Sequence, residues 1–359
     1  MIKIQASVSK GWLHKNGGFN FPEKYYLDPV YRRETDLKIN EIVRERFPGM
    51  AIYNMESNLV QAEFVRDNHV LVGAIQPNMI LAAILGARFS FFEDKDSDVV
   101  DKPLEHISEA SQLPPVNLIP QHSLVKKLDK QIQEIGATHP NLRVIPPFFW
   151  DESGRATIHG IITTSLKIVG DNIMVLMMTD PELVHAIHRW IADAYSILVK
   201  HFAAGGDLKI SALHVGECSG TMISGELYEE FVVPYISQLG ENVGSLRLHS
   251  CGFSDHLIKP ASRIRNLKIF DVGSDTSIKK IRELLGNDIE IHVSPPASLL
   301  MDGSPVSNIM KWLDRTLEQN GNGPLQIAYH LEPDYDIRNC LVLHEELENQ
   351  GLITNDRLY

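Results

Sequence analysis

The sequence predicts a (β/α)8 TIM-type barrel with an N-terminal helical extension, on three observations. Short apolar runs alternate with longer amphipathic stretches from about residue 140 onward. Runs buried on both faces and separated by helices are the mark of a parallel sheet. The repeats recur through the second half of the chain without a G-x-G-x-x-G or Walker sequence after any run, which argues against nucleotide binding at a strand end. A chain of 359 residues also suits one large α/β barrel.

The elements follow in order. Residues 1–65 read as the helical extension, with a helix-like stretch from Arg32 to Phe47 that stops at the breaker pair Pro48-Gly49. Residues 66–359 read as the barrel. Its strand-like runs are Leu142–Phe149, Leu208–Glu217, Ser245–Gly252, Leu267–Gly273, Ile289–Ser294 and Leu325–His330. Helix-like segments lie between them at Pro181–Phe202, Glu226–Leu239, Thr276–Leu285 and Val306–Gln319.

Composition narrows the function classes. There are 34 Lys and Arg against 46 Asp and Glu, a formal charge of −12, and no basic stripe of the kind a nucleic-acid binder carries. Three cysteines are too few for a disulfide framework in a chain this long, which favours a reducing compartment. No apolar run reaches membrane-span length and the N-terminus lacks a signal-peptide core, so a soluble, cytoplasmic chain is expected.

In a barrel the working residues lie at the C-terminal strand ends. The sharpest group there is Arg247-Leu-His249-Ser-Cys251-Gly252. Side chains alternate along a strand, so Arg247, His249 and Cys251 share one face. Imidazole nitrogen and thiolate sulfur are preferred zinc donors. The same spacing also suits a core histidine beside an inert buried thiol. Glu217, also at a strand end, reads as a displaceable fourth ligand, as an acceptor orienting His249, or as a helix-cap neighbour. Cys218 has the opposite parity and is expected to pack outward. Arg247 and Asp271 are candidate catalytic groups, and Trp150, after Phe148 and Phe149, is a candidate lining of the substrate entrance. His214, His256 and His292 carry no individual signal.

The segment from Glu217 through Ser224, Phe231 and Pro234 to Tyr235 resembles that of the uroporphyrinogen decarboxylase superfamily. His249-Ser-Cys251-Gly252 resembles the His-x-Cys-Gly of its corrinoid-dependent methyltransferase branch. Asp180-Pro181-Glu-Leu-Val184, Phe270-Asp271-Val, Ile80-Leu-Ala-Ala-Ile84-Leu-Gly86 and Phe91-Phe92-Glu93 fit the same template. The Arg-Gln-Ala-Gly-Arg-Tyr segment of the decarboxylase branch is absent.

The resemblance implies Zn2+ bound by His249, Cys251 and a third ligand at the end of the last strand. Anchoring on Pro333 and Asn339 puts Cys340 inside the following helix, so His330 is preferred as that ligand with Cys340 as the alternative, Glu217 at or near the fourth position and Tyr329 beside the substrate. It further implies methyl transfer between a small methylated ether, amine or thiol and the cobalt of a corrinoid. One thiolate and two imidazoles would favour the demethylating direction, and two thiolates would favour methylation of a thiol. This chain lacks Asp-x-His-x-x-Gly, so the corrinoid is expected on a separate partner protein. A metal-free decarboxylase-like lyase using Glu217, Asp271 and Arg247 is the rival reading. Neither nucleic acid nor membrane is an expected partner, and a homodimer is compatible with the sequence.

Overall fold

The computed structural model describes residues 2–50, 52–53 and 68–353. The chain opens with β1 (Ile2–Val8), β2 (Ile52–Tyr53) and β3 (His69–Leu71). A short hairpin, β4 (Phe89–Ser90) with β5 (Asp98–Val99), is followed by β6 (Arg143–Ile145) and β7 (Arg155–His159). Then come β8 (Ala212–Gly216), β9 (Ser245–Ser250), β10 (Leu267–Val272), β11 (Glu290–Val293) and β12 (Leu325–Leu331). Eight of these strands form one sheet in the order β2-β1-β12-β11-β10-β9-β8-β7. Every pairing in it is parallel. With helices between successive strands, this is the α/β architecture of a TIM-type barrel.

The expected helical extension over 1–65 opens instead with a barrel strand. β1 pairs along its whole length with β12, from Ile2↔Leu325 to Val8↔Leu331. Its alternation of Ile4, Ala6 and Val8 with Gln5 and Ser7 is a half-buried pattern, unlike the continuous apolar run that signals a parallel strand. Helices Lys10–Gly17, Glu23–Leu27 and Pro29–Arg46 do follow, and the last ends just before Pro48-Gly49 as expected. The boundary at 65/66 lies outside the described residues.

Helices cover the outer face of the sheet. The helix Pro181–Gly205 starts with Pro181 after Asp180, whose side chain accepts from Leu183 N at 3.1 Å. It buries Val184, Ile187, Ile191, Leu198 and Phe202 completely. Leu246 of β9 packs against Gly240 of the helix Val233–Val243, where a Cβ would meet it at 2.9 Å. On the opposite face the strands carry an unusually polar set: Gln5, Thr157, His214, Arg247, Asp271, His292 and Gln326, all buried. Gln326 Nε2 donates to Gln5 Oε1 at 3.0 Å across this lumen face. Among the described residues no single helix is long and apolar enough to cross a membrane.

Candidate metal centre at the C-terminal strand ends

β8 and β9 are adjacent and in register from Ala212↔Ser245 to Gly216↔His249. Beyond Gly216 the backbone turns at Glu217 (φ −102°, ψ 46°) into the short 3-10 helix Cys218–Met222. That turn overrides strand parity. Cys218, expected to pack outward, instead joins His249 and Cys251: one donor atom from each lies within 4.8 Å of the other two. The loop after β10 closes on the same spot because residue 273 is glycine. A Cβ there would collide with the Cys251 carbonyl oxygen.

His249 is held from below. Its Nδ1 lies 3.0 Å from Asp271 Oδ2, and Arg247 Nη2 donates to the same oxygen at 2.5 Å. All three side chains are buried. Neither ring nitrogen of His249 completes a well-aligned hydrogen bond. With Nδ1 turned to Asp271, Nε2 is the nitrogen left for a metal, and a carboxylate behind a ligating histidine is the usual outer support of such a centre. Burial alone would lower the His249 pKa, but the Asp271 carboxylate outweighs it and raises it to about 9. Burial likewise pushes Asp271 up, yet His249 and Arg247 hold its carboxyl well below the ordinary range. The Cys218 thiol, then His249, bring Cys251 down to about 4, while Cys218 itself is pushed up as the hydrogen-bond donor of the pair. The protons that such a thiol and imidazole carry are ones a metal cation would displace on binding. Two sulfurs and one nitrogen suit zinc.

The other expected residues fall elsewhere. Glu217 is completely buried, but its carboxylate caps the helix Ile161–Ile168. It accepts from Thr163 N at 2.9 Å, Thr163 Oγ1 at 3.1 Å and Ile162 N at 3.3 Å. Burial pushes it up to about 7, against the pull of the Thr163 donors. A Cβ on Gly160 would strike this carboxylate, so the cap needs glycine there. Thr163 Oγ1 in turn accepts from Ser219 N at 3.1 Å, which ties the turn bearing Cys218 to the helix.

His330 is on the lumen face but outside the donor cluster, with Nδ1 3.1 Å from Ser7 Oγ. Burial first, then the His249 charge, hold it down to about 4. His159 and His292 are also held down to about 4, in each by burial first. His214 stacks beside His249 with ring centroids 5.8 Å apart.

Tyr329 points the other way, into the helix layer: its hydroxyl donates to the Cys340 carbonyl at 2.6 Å and sits 3.0 Å from His344 Nε2. It therefore packs the barrel wall and does not face a substrate, as parity with Ile327 and Leu331 requires. Trp150 is 2% exposed and its indole N–H donates to Pro147 O at 2.8 Å, so it too is core. Cys340 is buried in the helix Ile337–Asn349, where burial pushes its thiol up to about 12.

Sequence reasoning missed Cys218 and Thr163. Cys218 had a signal, its place directly after the acidic strand-end residue; Thr163 had none, because its role rests on a contact across 54 residues.

Comparison with known proteins agrees with this architecture. Among solved structures the chain resembles a methyltransferase from Methanosarcina mazei, at 15% identity over 98% of this chain and 94% of that one, with a TM-score of 0.64. It also resembles a B12-independent methionine synthase from Shewanella sp. W3-18-1, solved in complex with selenomethionine, at 9% identity over 98% of both chains and a TM-score of 0.51. At these identities the likeness is one of fold. No curated protein sequence matches the chain. Residues 156–323 match the family described as Uroporphyrinogen decarboxylase (URO-D), and this stretch contains Cys218, His249, Cys251, Arg247 and Asp271. The segment that carries the candidate centre is therefore the part of the chain that is similar to the uroporphyrinogen decarboxylase (URO-D) family.

Proposed function

We propose that the chain is a zinc-dependent methyltransferase that exchanges a methyl group between a small substrate and a corrinoid carried by a separate protein. The observation that carries this reading is the convergence of Cys218, His249 and Cys251 at the C-terminal strand ends. Zinc held there would act as a Lewis acid, lowering the pKa of a bound thiol so that thiolate is available at neutral pH. A donor set with two sulfurs in place of the expected one leaves less positive charge on the metal. That favours methylation of a thiol over demethylation of an ether or amine. The chain's own residues supply the positioning. Asp271 orients His249, Arg247 fixes Asp271, and Glu217 with Thr163 sets the turn that presents Cys218. The rival metal-free lyase would need Arg247 for substrate carboxylates, but Arg247 is paired with Asp271.

The test is methyl transfer from methylcobalamin to a panel of thiols, run beside transfer from methyl ethers, methylamines and thioethers to cob(I)alamin. Zinc-loaded protein is expected to methylate a thiol, to lose that activity on chelation and to regain it with zinc. Transfer only from ethers or amines would restore the demethylating direction, and a chain without zinc would sink the reading.

Glu217 separates positioning from ligation. Glu217→Ala leaves the N–H groups of Ile162 and Thr163 without their acceptor, which costs about 1–3 kcal/mol per buried group. The urea midpoint is expected to fall with an unchanged slope, while zinc still binds at one per chain but more weakly, through the loosened Cys218 turn. Zinc loss at unchanged stability would put the carboxylate on the metal.

A further inference from the structure

We infer that Cys218 and Cys251 form a reversible intramolecular disulfide, so that a peroxide switches the centre off. The inference goes beyond the methyl-transfer reading and rests on the metal only for what is released. Gly216 and His249 are the last register partners of β8 and β9, and each cysteine lies two residues beyond its partner on these adjacent chains. The turn at Glu217 carries Cys218 back over the end of β9, toward Cys251. The two sulfurs already lie within 4.8 Å of each other. Bond formation needs the sulfurs to close from that separation to about 2.05 Å.

The accessibilities assign the order of events. Cys251 is exposed, Cys218 is half-buried and Cys340 is fully buried. Cys251 meets the oxidant first: its sulfur attacks hydrogen peroxide, the O–O bond breaks, a sulfenic acid forms and one water leaves. The Cys218 sulfur then attacks the sulfenic sulfur, the S–S bond forms and a second water leaves. Two electrons pass from the sulfur pair to the peroxide, and the two thiol protons end on water. The product removes both sulfur donors, leaving His249 as the sole member of the cluster able to hold the metal.

Hydrogen peroxide treatment of the full-length protein, zinc-free and zinc-loaded in parallel, tests this. The titratable thiols are expected to fall from three to one per chain, with a mass lower by two hydrogens. Peptide mapping should place the bond between residues 218 and 251. The loaded sample should release its zinc in step, and dithiothreitol should restore the thiols and metal binding. The Cys218→Ser protein should halt at an oxidised Cys251 and form no internal bond. Cross-linked chains, a bond to Cys340, or accumulation of sulfinic acid in the unsubstituted protein would overturn the inference. Because the zinc-free arm reads the disulfide alone, a failure there leaves the methyl-transfer reading standing, and a protein that oxidises as described but never binds zinc would do the reverse.

Discussion

Cys251→Ser is expected to abolish stoichiometric zinc binding and methyl transfer together. The serine hydroxyl is close in size to the thiol but stays protonated at neutral pH, so the centre loses its anionic donor. Losing only an outer partner of a metal ligand costs about 10–100-fold in affinity, and losing the ligand itself should exceed that. Cys218→Ser should behave in the same way. His330→Ala should keep its zinc, because its imidazole faces Ser7 and stands outside the cluster. Cys340→Ala should also keep it, at a stability cost on the order of 1 kcal/mol for the lost buried sulfur. Metal analysis of the four purified proteins reads the whole pattern. Zinc lost from His330→Ala and retained in Cys218→Ser would restore the ligand set read from the sequence.

That ligand set shows where a sequence stops being legible. His249 and Cys251 were found because they lie along one strand and just past its end, where alternation is reliable. Cys218 lies on a different chain segment, past the point where the backbone leaves extended conformation, and there parity predicts nothing. A different limit hid β1 and β7. Parallel strands announce themselves when both faces are apolar, but this lumen carries Gln5, Thr157, His214, Arg247, Asp271 and His292. Strands with such a face are legible only from their outer residues, which in β1 and β7 include the small Ala6 and Ala156. β8, β9, β10 and β12 stood out because their outer faces are Leu213 and Val215, Leu246 and Leu248, Phe270 and Val272, and Ile327 and Leu331. Of the readings open for Glu217, its contacts match the helix cap, and the sequence could not name the helix because it begins more than fifty residues earlier in the chain. Tyr329 was within reach: alternation alone sets it on the face opposite His330.

The pair beneath His249 gives the second large effect. In Asp271→Asn the Arg247 guanidinium, with a side chain 3% exposed, keeps its charge and loses its carboxylate. Removing one partner of a buried ion pair typically costs about 3–5 kcal/mol, because the remaining charge has no compensation. In the unsubstituted protein the depressed Asp271 pKa makes a matching prediction. An unfolded aspartate titrates near about 4, so the stabilisation is fully present above that pH and is lost as the pH falls through the lower folded value. The same substitution removes the orienting carboxylate from His249 Nδ1, and zinc affinity should fall about 10–100-fold. These two losses are separable. Replacing both members, as Arg247→Met with Asp271→Leu, fills the volume without a buried charge and should recover most of the stability. It should recover none of the zinc affinity, because His249 then has no partner to fix its ring. Urea midpoints and zinc titrations on the single and double variants distinguish the outcomes. A double variant that regained both stability and zinc would show that Asp271 neutralises Arg247 and does nothing for His249.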